Sequence, residues 1–225
     1  VLFILSIIFP LSYLFGNLII NIFLFFINII FFFYNIKKKS FSELYNIDFI
    51  ILTCLWVTLI INLVLSNNFE LSLNRFLKFF FIILFILSFK FIINYKNSLF
   101  ESYIFKGWSI IFCVVFFDLI FEFFLGYNLT GNVSYMPGRL TSFIKDELVV
   151  GYFYIGFALF AFVTISEKIK YKNAIPLILT SLVIVSFLIG ERSNFFKFLL
   201  SSCIIFLLFV DIGYKKKIIT FIISF

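Results

Sequence analysis

The sequence predicts an all-α integral membrane protein, a polytopic helix bundle of about eight complete or near-complete spans and the start of a ninth. Hydrophobic residues make up 64% of the 225 residues and charged residues 13%. Soluble domains carry about 45–50% apolar and about 25% charged residues, so this chain has too few polar side chains to cover a soluble surface. The charges also lie between long apolar runs, which favours a bundle that faces lipid.

The spans follow in order along the chain. The first apolar run, 2–34, is too long for one ordinary span and contains Pro10, so we divide it at Gly16-Asn17. A buried helix of a soluble protein would explain any one of the later runs, but not the whole succession. The remaining spans are predicted at 18–34, 47–65, 73–93, 104–125, 148–166, 174–190 and 195–210, with a ninth beginning at Ile218.

Both ends of the sequence lie within apolar runs. Residue 1 is Val, with no charged segment before it, and the final run 218–225 is too short to cross a bilayer. We therefore expect a single transmembrane domain over 1–225 that is truncated at both ends.

Basic residues alternate between two sets of loops, which predicts the orientation. All three arginines belong to the smaller set, and the larger set contains only lysine. Because basic residues concentrate on the cytoplasmic side, the larger set is predicted to face the cytoplasm. The larger set is Lys37, Lys38, Lys39, Lys90, Lys96, Lys106, Lys168, Lys170, Lys172, Lys215, Lys216 and Lys217; the smaller, outer set is Arg75, Lys78, Arg139, Lys145, Arg192 and Lys197.

The outer arginines predict an anionic ligand. Arg75, Arg139 and Arg192 lie on the predicted outer side, where basic residues are least expected. A guanidinium group binds phosphate oxygens in pairs, so three outer arginines near helix ends suggest a phosphorylated ligand. The alternative is that they pair with outer acidic residues or with lipid headgroups.

Acidic residues converge on the same side. Asp118 and Glu122 lie four residues apart in the span 104–125 and so share one helix face, in its outer half. Carboxylates at membrane depth are functional candidates by default, although a structural ion pair with an outer arginine is the alternative. An outer loop, 126–147, follows them, and the outer turn 190–194 contains Glu191.

Other chemistries are not visible in this stretch. There is no His, no Cys-x-x-Cys pair and no glycine-rich phosphate loop, so we expect neither a zinc site nor a nucleotide cofactor. The net charge of +7 reflects topology and the anionic lipid that the basic side faces, and does not indicate nucleic-acid binding.

Three segments resemble the O-antigen ligase and O-antigen polymerase family of bacterial inner membranes. They are Gly138-Arg139-Leu140-Thr141-Ser142-Phe143-Ile144-Lys145-Asp146-Glu147-Leu148, Leu188-Ile189-Gly190-Glu191-Arg192-Ser193-Asn194 and Leu71-Ser72-Leu73-Asn74-Arg75-Phe76. Ser142 and Glu147 depart from the family, in which many members have Gly and Asn. The family also has a long periplasmic loop with Arg and often His, which would follow the last residue of this sequence.

The resemblance implies a GT-C-like membrane glycosyltransferase. A glycan on undecaprenyl diphosphate would be transferred at the periplasmic face to a lipid A core or a growing polysaccharide, without a metal. The diphosphate would be held by Arg139 and Arg192, with Arg75, Lys145 and Ser193. Asp118 or Glu122 would act as the catalytic carboxylate or would orient an arginine, supported by Asp146, Glu147 and Glu191.

Two other functions fit the same residues. A transporter or flippase for an anionic lipid-linked substrate would use the arginines and the intramembrane carboxylates. Against it, the chain shows no internal repeat with paired broken helices. A non-catalytic membrane scaffold would not need the arginines to concentrate on the outer side.

Overall fold

The computed structural model describes residues 1–38, 47–95, 99–144, 147–169 and 174–209, and every regular element in them is helical. Two short 3-10 segments, Phe9–Phe15 and Ser142–Ile144, accompany the α-helices. The helices are α1 Leu2–Ile8, α2 Asn17–Lys38, α3 Ile47–Leu65, α4 Phe69–Tyr95, α5 Leu99–Leu125, α6 Glu147–Ser166, α7 Ala174–Leu188 and α8 Arg192–Phe209.

The helix boundaries follow the predicted breaks closely. The helix α3 has the predicted bounds, and α2 begins at Asn17, directly after Gly16 with φ +93°. The helix α4 begins at Phe69, before the predicted span 73–93, and the additional residues include the polar Glu70 and Ser72. A helix continues through polar residues because its hydrogen bonds join backbone groups, whereas a run of apolar residues ends at the first polar one. The predicted ninth span at Ile218 lies outside the described residues.

Long apolar helices identify the class of protein. Four segments are long and apolar enough to cross a bilayer: Asn17–Lys37, Phe69–Ile93, Ser102–Leu125 and Val149–Ser166. Shorter apolar helices occupy Leu2–Phe15, Phe49–Leu65 and Ala174–Leu188. Large apolar side chains such as Phe33, Phe117 and Leu200 are about two-thirds exposed on helix surfaces. This is the structure of an all-helical membrane protein; the full number of spans stays a prediction.

The chain divides into two compact units. The first comprises Val1–Phe9 and Asn17–Ser102, and the second comprises Pro10–Gly16 and the chain from Tyr103 onward. The boundary falls within the first turns of α5. That 1–225 forms a single transmembrane domain therefore stays a prediction, to which the structure adds this internal division.

In the first unit, α4 packs against α1, α2 and α3. The indole of Trp56 stacks on the ring of Phe76, with 4.6 Å between centroids, and its Nε1 donates to the Phe76 carbonyl at 3.1 Å. The amide of Asn28 on α2 donates to the carbonyl of Phe81 on α4 at 2.9 Å. These two bonds join neighbouring helices through side chains, while the helical backbone bonds remain within each helix.

In the second unit, α6, α7 and α8 pack together. The fully buried Tyr154 of α6 lies at their centre, and its hydroxyl donates to the Leu182 carbonyl of α7 at 2.8 Å. Its ring packs edge-on against Phe112 of α5 and Phe198 of α8, at centroid distances of 5.2 and 5.5 Å. This core supports the ends of α5 and α7, from which the candidate site is built.

Candidate anion-binding site

Asp118 anchors the loop that follows α5. Its side chain is fully buried, and its Oδ1 accepts the backbone N–H of Leu129 at 2.7 Å. Its Oδ2 accepts the hydroxyl of Ser142 at 2.5 Å. One carboxylate therefore bonds both the beginning and the end of the segment 126–144.

Glu122, one turn later, holds the end of the same segment. Its side chain is 2% exposed, and it accepts the backbone N–H and the hydroxyl of Thr141 at 3.1 Å and the N–H of Ser142 at 2.7 Å. Among the described residues, neither Glu122 nor Asp118 forms an ion pair with an arginine. Glu122 therefore holds the backbone two and three residues after Arg139, and Asp118 holds Ser142 through its hydroxyl group.

Asn128 organises the loop from within. Its buried side chain accepts the N–H groups of Thr130 and Asn132, at 3.1 and 2.9 Å, and donates to the Ser142 carbonyl at 2.5 Å. Ser142 has a left-handed backbone, φ +49°, which is uncommon for a residue other than glycine. Its bonds to Asp118, Glu122 and Asn128 offset that strain.

The loop is joined to the turn between α7 and α8. The N–H of Leu140 donates to the Ile189 carbonyl at 3.3 Å. Gly190 has φ +84°, and a Cβ placed on it would lie 2.6 Å from the Gly138 carbonyl oxygen and 3.1 Å from Cγ of Arg139. Only a residue without a side chain allows the two segments to approach so closely.

This contact brings two arginines to one cleft of about 730 Å³. We call it the arginine cleft. Arg139 comes from the loop, and Arg192 and Ser193 from the first turn of α8. Within the described residues, neither guanidinium group has a hydrogen-bond or ion-pair partner. The cleft is lined by Pro137, Gly138, Arg139, Tyr152, Gly190, Glu191, Arg192, Ser193 and Asn194.

The helix α8 contributes its N-terminus to the arginine cleft. The carbonyl of Glu191 accepts the N–H of Phe195 at 2.9 Å, which is the first bond of this 18-residue helix. The preceding N–H groups therefore have no partner within the helix, and they carry its positive dipole end. This dipole and the two guanidinium groups outweigh the single carboxylate of the lining, Glu191, so the cleft carries a net positive charge suited to an anion.

A polar pair lies beneath the turn. The amide of Asn194 donates to the Glu191 carboxylate, and both side chains are buried. They lie directly on Gly151 of α6, where an added Cβ would collide with both. The other amide atom, Oδ1 of Asn194, is buried without a hydrogen-bond partner.

The predicted site residues divide into three groups. Arg139, Arg192, Ser193 and Glu191 lie together at the arginine cleft, with Asp118 and Glu122 holding the loop behind Arg139. Arg75 is exposed on α4 in the first unit, whereas the cleft lining comes from the second. Glu147 is the first residue of α6, while Lys145 and Asp146 lie outside the described residues.

Sequence reasoning did not identify Asn128, Asn194, Gly151 or Tyr152 as site residues. Tyr152 lines the cleft and lies beneath Lys197, whose Nζ is 5.6 Å from the ring centroid. Asn128 ends the segment Gly126-Tyr127-Asn128, whose Gly and Asn are typical of a turn. No local signal marks Gly151, because its neighbours come from a distant turn.

The arrangement can bind an oxyanion and stabilise negative charge. In the described residues, no three His, Cys, Asp or Glu side chains lie close enough together to bind a metal ion. Comparisons of the chain with protein-family models, with curated proteins and with solved structures found no match.

Proposed function

We propose that this protein transfers a glycan from an undecaprenyl diphosphate donor to a lipid A core or a growing polysaccharide, as an O-antigen ligase or polymerase does. The observation that carries the proposal is the convergence of Arg139 and Arg192, both without partners among the described residues, on one cleft. The resemblance in sequence supplies the identity of the donor and of the acceptor.

Two guanidinium groups suit a diphosphate. Each presents paired N–H donors to phosphate oxygens, and the N-terminus of α8 adds backbone donors beside Ser193. Cleavage of the bond between the sugar and the diphosphate leaves negative charge on the leaving group. Arg139 and Arg192 would stabilise that charge as it develops, the role that a divalent metal has in other transferases.

The two buried carboxylates act as positioning residues in this proposal. Asp118 and Glu122 already accept hydrogen bonds from five donor groups of the loop, and those bonds hold Arg139 at the cleft. The acceptor hydroxyl would be activated by another base, such as a His of the long periplasmic loop that the resemblance implies. A direct role for Glu122 or Asp118 as the base stays a prediction.

The membrane arrangement is part of the proposal. With about eight spans and a ninth beginning at Ile218, the arginine cleft would face the periplasm and the lysine-rich loops the cytoplasm of a bacterial inner membrane. The fold would be of the GT-C-like type. The donor's apolar chain would lie in the bilayer beside exposed Phe and Leu side chains.

A transporter or flippase would use the same cleft, but its coupling mechanism needs carboxylates that exchange protons with water. Both intramembrane carboxylates of the second unit are instead buried and bonded to the loop. The contacts therefore support the transferase more than the transporter.

The experiment uses the full-length gene in a host whose own ligase or polymerase is deleted. Arg139 and Arg192 are replaced singly by Lys and by Ala, membrane levels are matched, and surface glycan is resolved on a gel. Loss of the paired contact is expected to lower transfer about 10–100-fold even with Lys. Lys78→Ala, which removes an exposed cation of α4, is the matched control and should transfer normally.

Normal glycan in all four arginine variants would refute the diphosphate clamp. Accumulation of undecaprenyl-linked glycan on the inner leaflet would instead favour the flippase, because transfer would then fail before the donor reaches the outer face. The banding pattern of the restored glycan separates a polymerase, which lengthens chains, from a ligase, which attaches them to lipid A core.

A further inference from the structure

A second groove, separate from the arginine cleft, follows an exposed apolar side of α5. It has a volume of about 560 Å³ and is bounded by α5 and by the last turn of α6. One end carries two lysines, Lys106 of α5 and Lys168 just after α6, and mostly apolar side chains form the rest of the wall. We call it the lysine groove.

One wall of the groove follows a single face of α5. Ile110, Val114 and Phe117 succeed Lys106 at intervals of three or four residues, and each of the three is at least half exposed. From Lys106 to Phe117 the helix rises about 16 Å, at about 1.5 Å per residue. The hydrocarbon core of a bilayer is about 30 Å thick, so the groove extends through about one leaflet.

The polar groups of the groove restrict what it can bind. The hydroxyl of Ser109 donates to the Phe105 carbonyl at 2.6 Å, and that of Thr164 to the Phe160 carbonyl at 2.8 Å. Their protons are used within their own helices. The thiol of Cys113, which also lines the groove, is only a weak donor. The strong donors left for a ligand are the ammonium groups of Lys106 and Lys168, so its polar part must be anionic and lie at the lysine end.

Lys106 lies beside a tyrosine near the beginning of α5. Its Nζ lies 5.5 Å from the ring centroid of the exposed Tyr103, one turn earlier on α5. Tyrosine is enriched at membrane interfaces, and basic pockets between helices bind lipid phosphates there. Glu167, the acid next to Lys168, is not among the residues that line the groove.

We propose that the lysine groove binds one anionic glycerophospholipid of the bilayer, with its phosphate between Lys106 and Lys168 and an acyl chain along Ile110, Val114 and Phe117. A groove one leaflet long matches an acyl chain, whereas a polyprenyl chain is far longer. Both lysines belong to the predicted cytoplasmic set, on the side opposite the arginine cleft. The lipid is therefore a structural ligand and not the glycan donor.

The test is native mass spectrometry of the purified full-length protein titrated with phosphatidylglycerol and with phosphatidylcholine. We expect one phosphatidylglycerol to be retained in preference to phosphatidylcholine. The double variant Lys106→Gln/Lys168→Gln should bind it about 30-fold more weakly, the effect of two lysines at an anionic headgroup. The matched control, Lys37→Gln/Lys90→Gln, removes the same charge from the same predicted side and should bind normally.

A second variant tests the apolar wall. Ile110→Trp keeps both lysines but fills the groove, and it should also weaken retention of phosphatidylglycerol. This variant tests the proposal by itself if the double lysine variant fails to fold. Equal binding of the two lipids, or unchanged binding by both variants, would overturn the proposal. So would an equal loss in the control, or displacement of phosphatidylglycerol by equimolar undecaprenyl diphosphate.

Discussion

Replacing Gly190 with Ala tests whether contact between the loop and the turn assembles the arginine cleft. Gly190 has φ +84°, and its added Cβ would lie 2.6 Å from the backbone oxygen of Gly138. An ordinary contact begins at 3.4 Å, so the loop must retreat by about 0.8 Å. The same loop is held at Thr141 and Ser142 by Glu122, so the Gly138 oxygen cannot move aside as the end of a flexible side chain does.

The matched control is Gly131→Ala. Gly131 has nearly the same backbone, φ +78°, but nothing lies within 4 Å of its added Cβ. Both variants bear the cost of a left-handed alanine, about 1–2 kcal/mol. Only Gly190→Ala adds overpacking, about 1–3 kcal/mol. The difference between the two variants therefore isolates the contact from the backbone strain.

The assays are unfolding of the full-length protein in detergent and glycan transfer in membranes. We expect Gly190→Ala to lower the free energy of unfolding by about 2–5 kcal/mol and Gly131→Ala by about 1–2 kcal/mol. A displacement near 1 Å at a catalytic group lowers rates by about 100-fold, so transfer should fall in Gly190→Ala alone. Equal stability and equal transfer in the two variants would refute the reasoning.

Three further predictions use neighbouring contacts. Gly151→Ala should destabilise the protein by up to about 2 kcal/mol and impair transfer, because its methyl group displaces the buried carboxylate of Glu191. Gly156→Ala, whose added Cβ has nothing within 4 Å, should instead stabilise the protein by about 1 kcal/mol. Thermal unfolding of both variants gives the sign of each change, and two changes of the same sign would contradict the packing around Gly151. Glu122→Gln should destabilise the loop by about 1–3 kcal/mol, because the new amide donor faces backbone N–H groups that then lack an acceptor. Limited proteolysis of the loop at the wild-type rate would disprove this prediction. Tyr154→Phe should lower the free energy of unfolding by about 0.5–1.5 kcal/mol, because it removes one hydrogen bond to the Leu182 carbonyl of α7. Glycan transfer should be unchanged, since neither Tyr154 nor Leu182 lines the arginine cleft. A large loss of transfer would contradict this prediction.

Much of the fold was predictable because hydropathy and turn signals act locally. Gly16 separates the 3-10 segment from α2, and the predicted run 47–65 is the helix α3. The starts of α4 and α5 were placed too late, because their first turns carry polar residues and a hydropathy run does not register a polar helical turn. Packing between helices has no such local pattern, so the division into two units was not predicted.

The sequence by itself determined the class of the protein, because apolar runs without charge cannot be exposed to water. It also identified Arg139 and Arg192 as candidates, because arginine stands out among lysines. Only the tertiary structure decided that these two meet at one cleft, and that Asp118 and Glu122 bond loop amides and hydroxyls. Those outcomes depend on approaches between distant segments, such as Gly190 to Gly138 and Gly151 to the turn, and backbone approach leaves no signature in residue order.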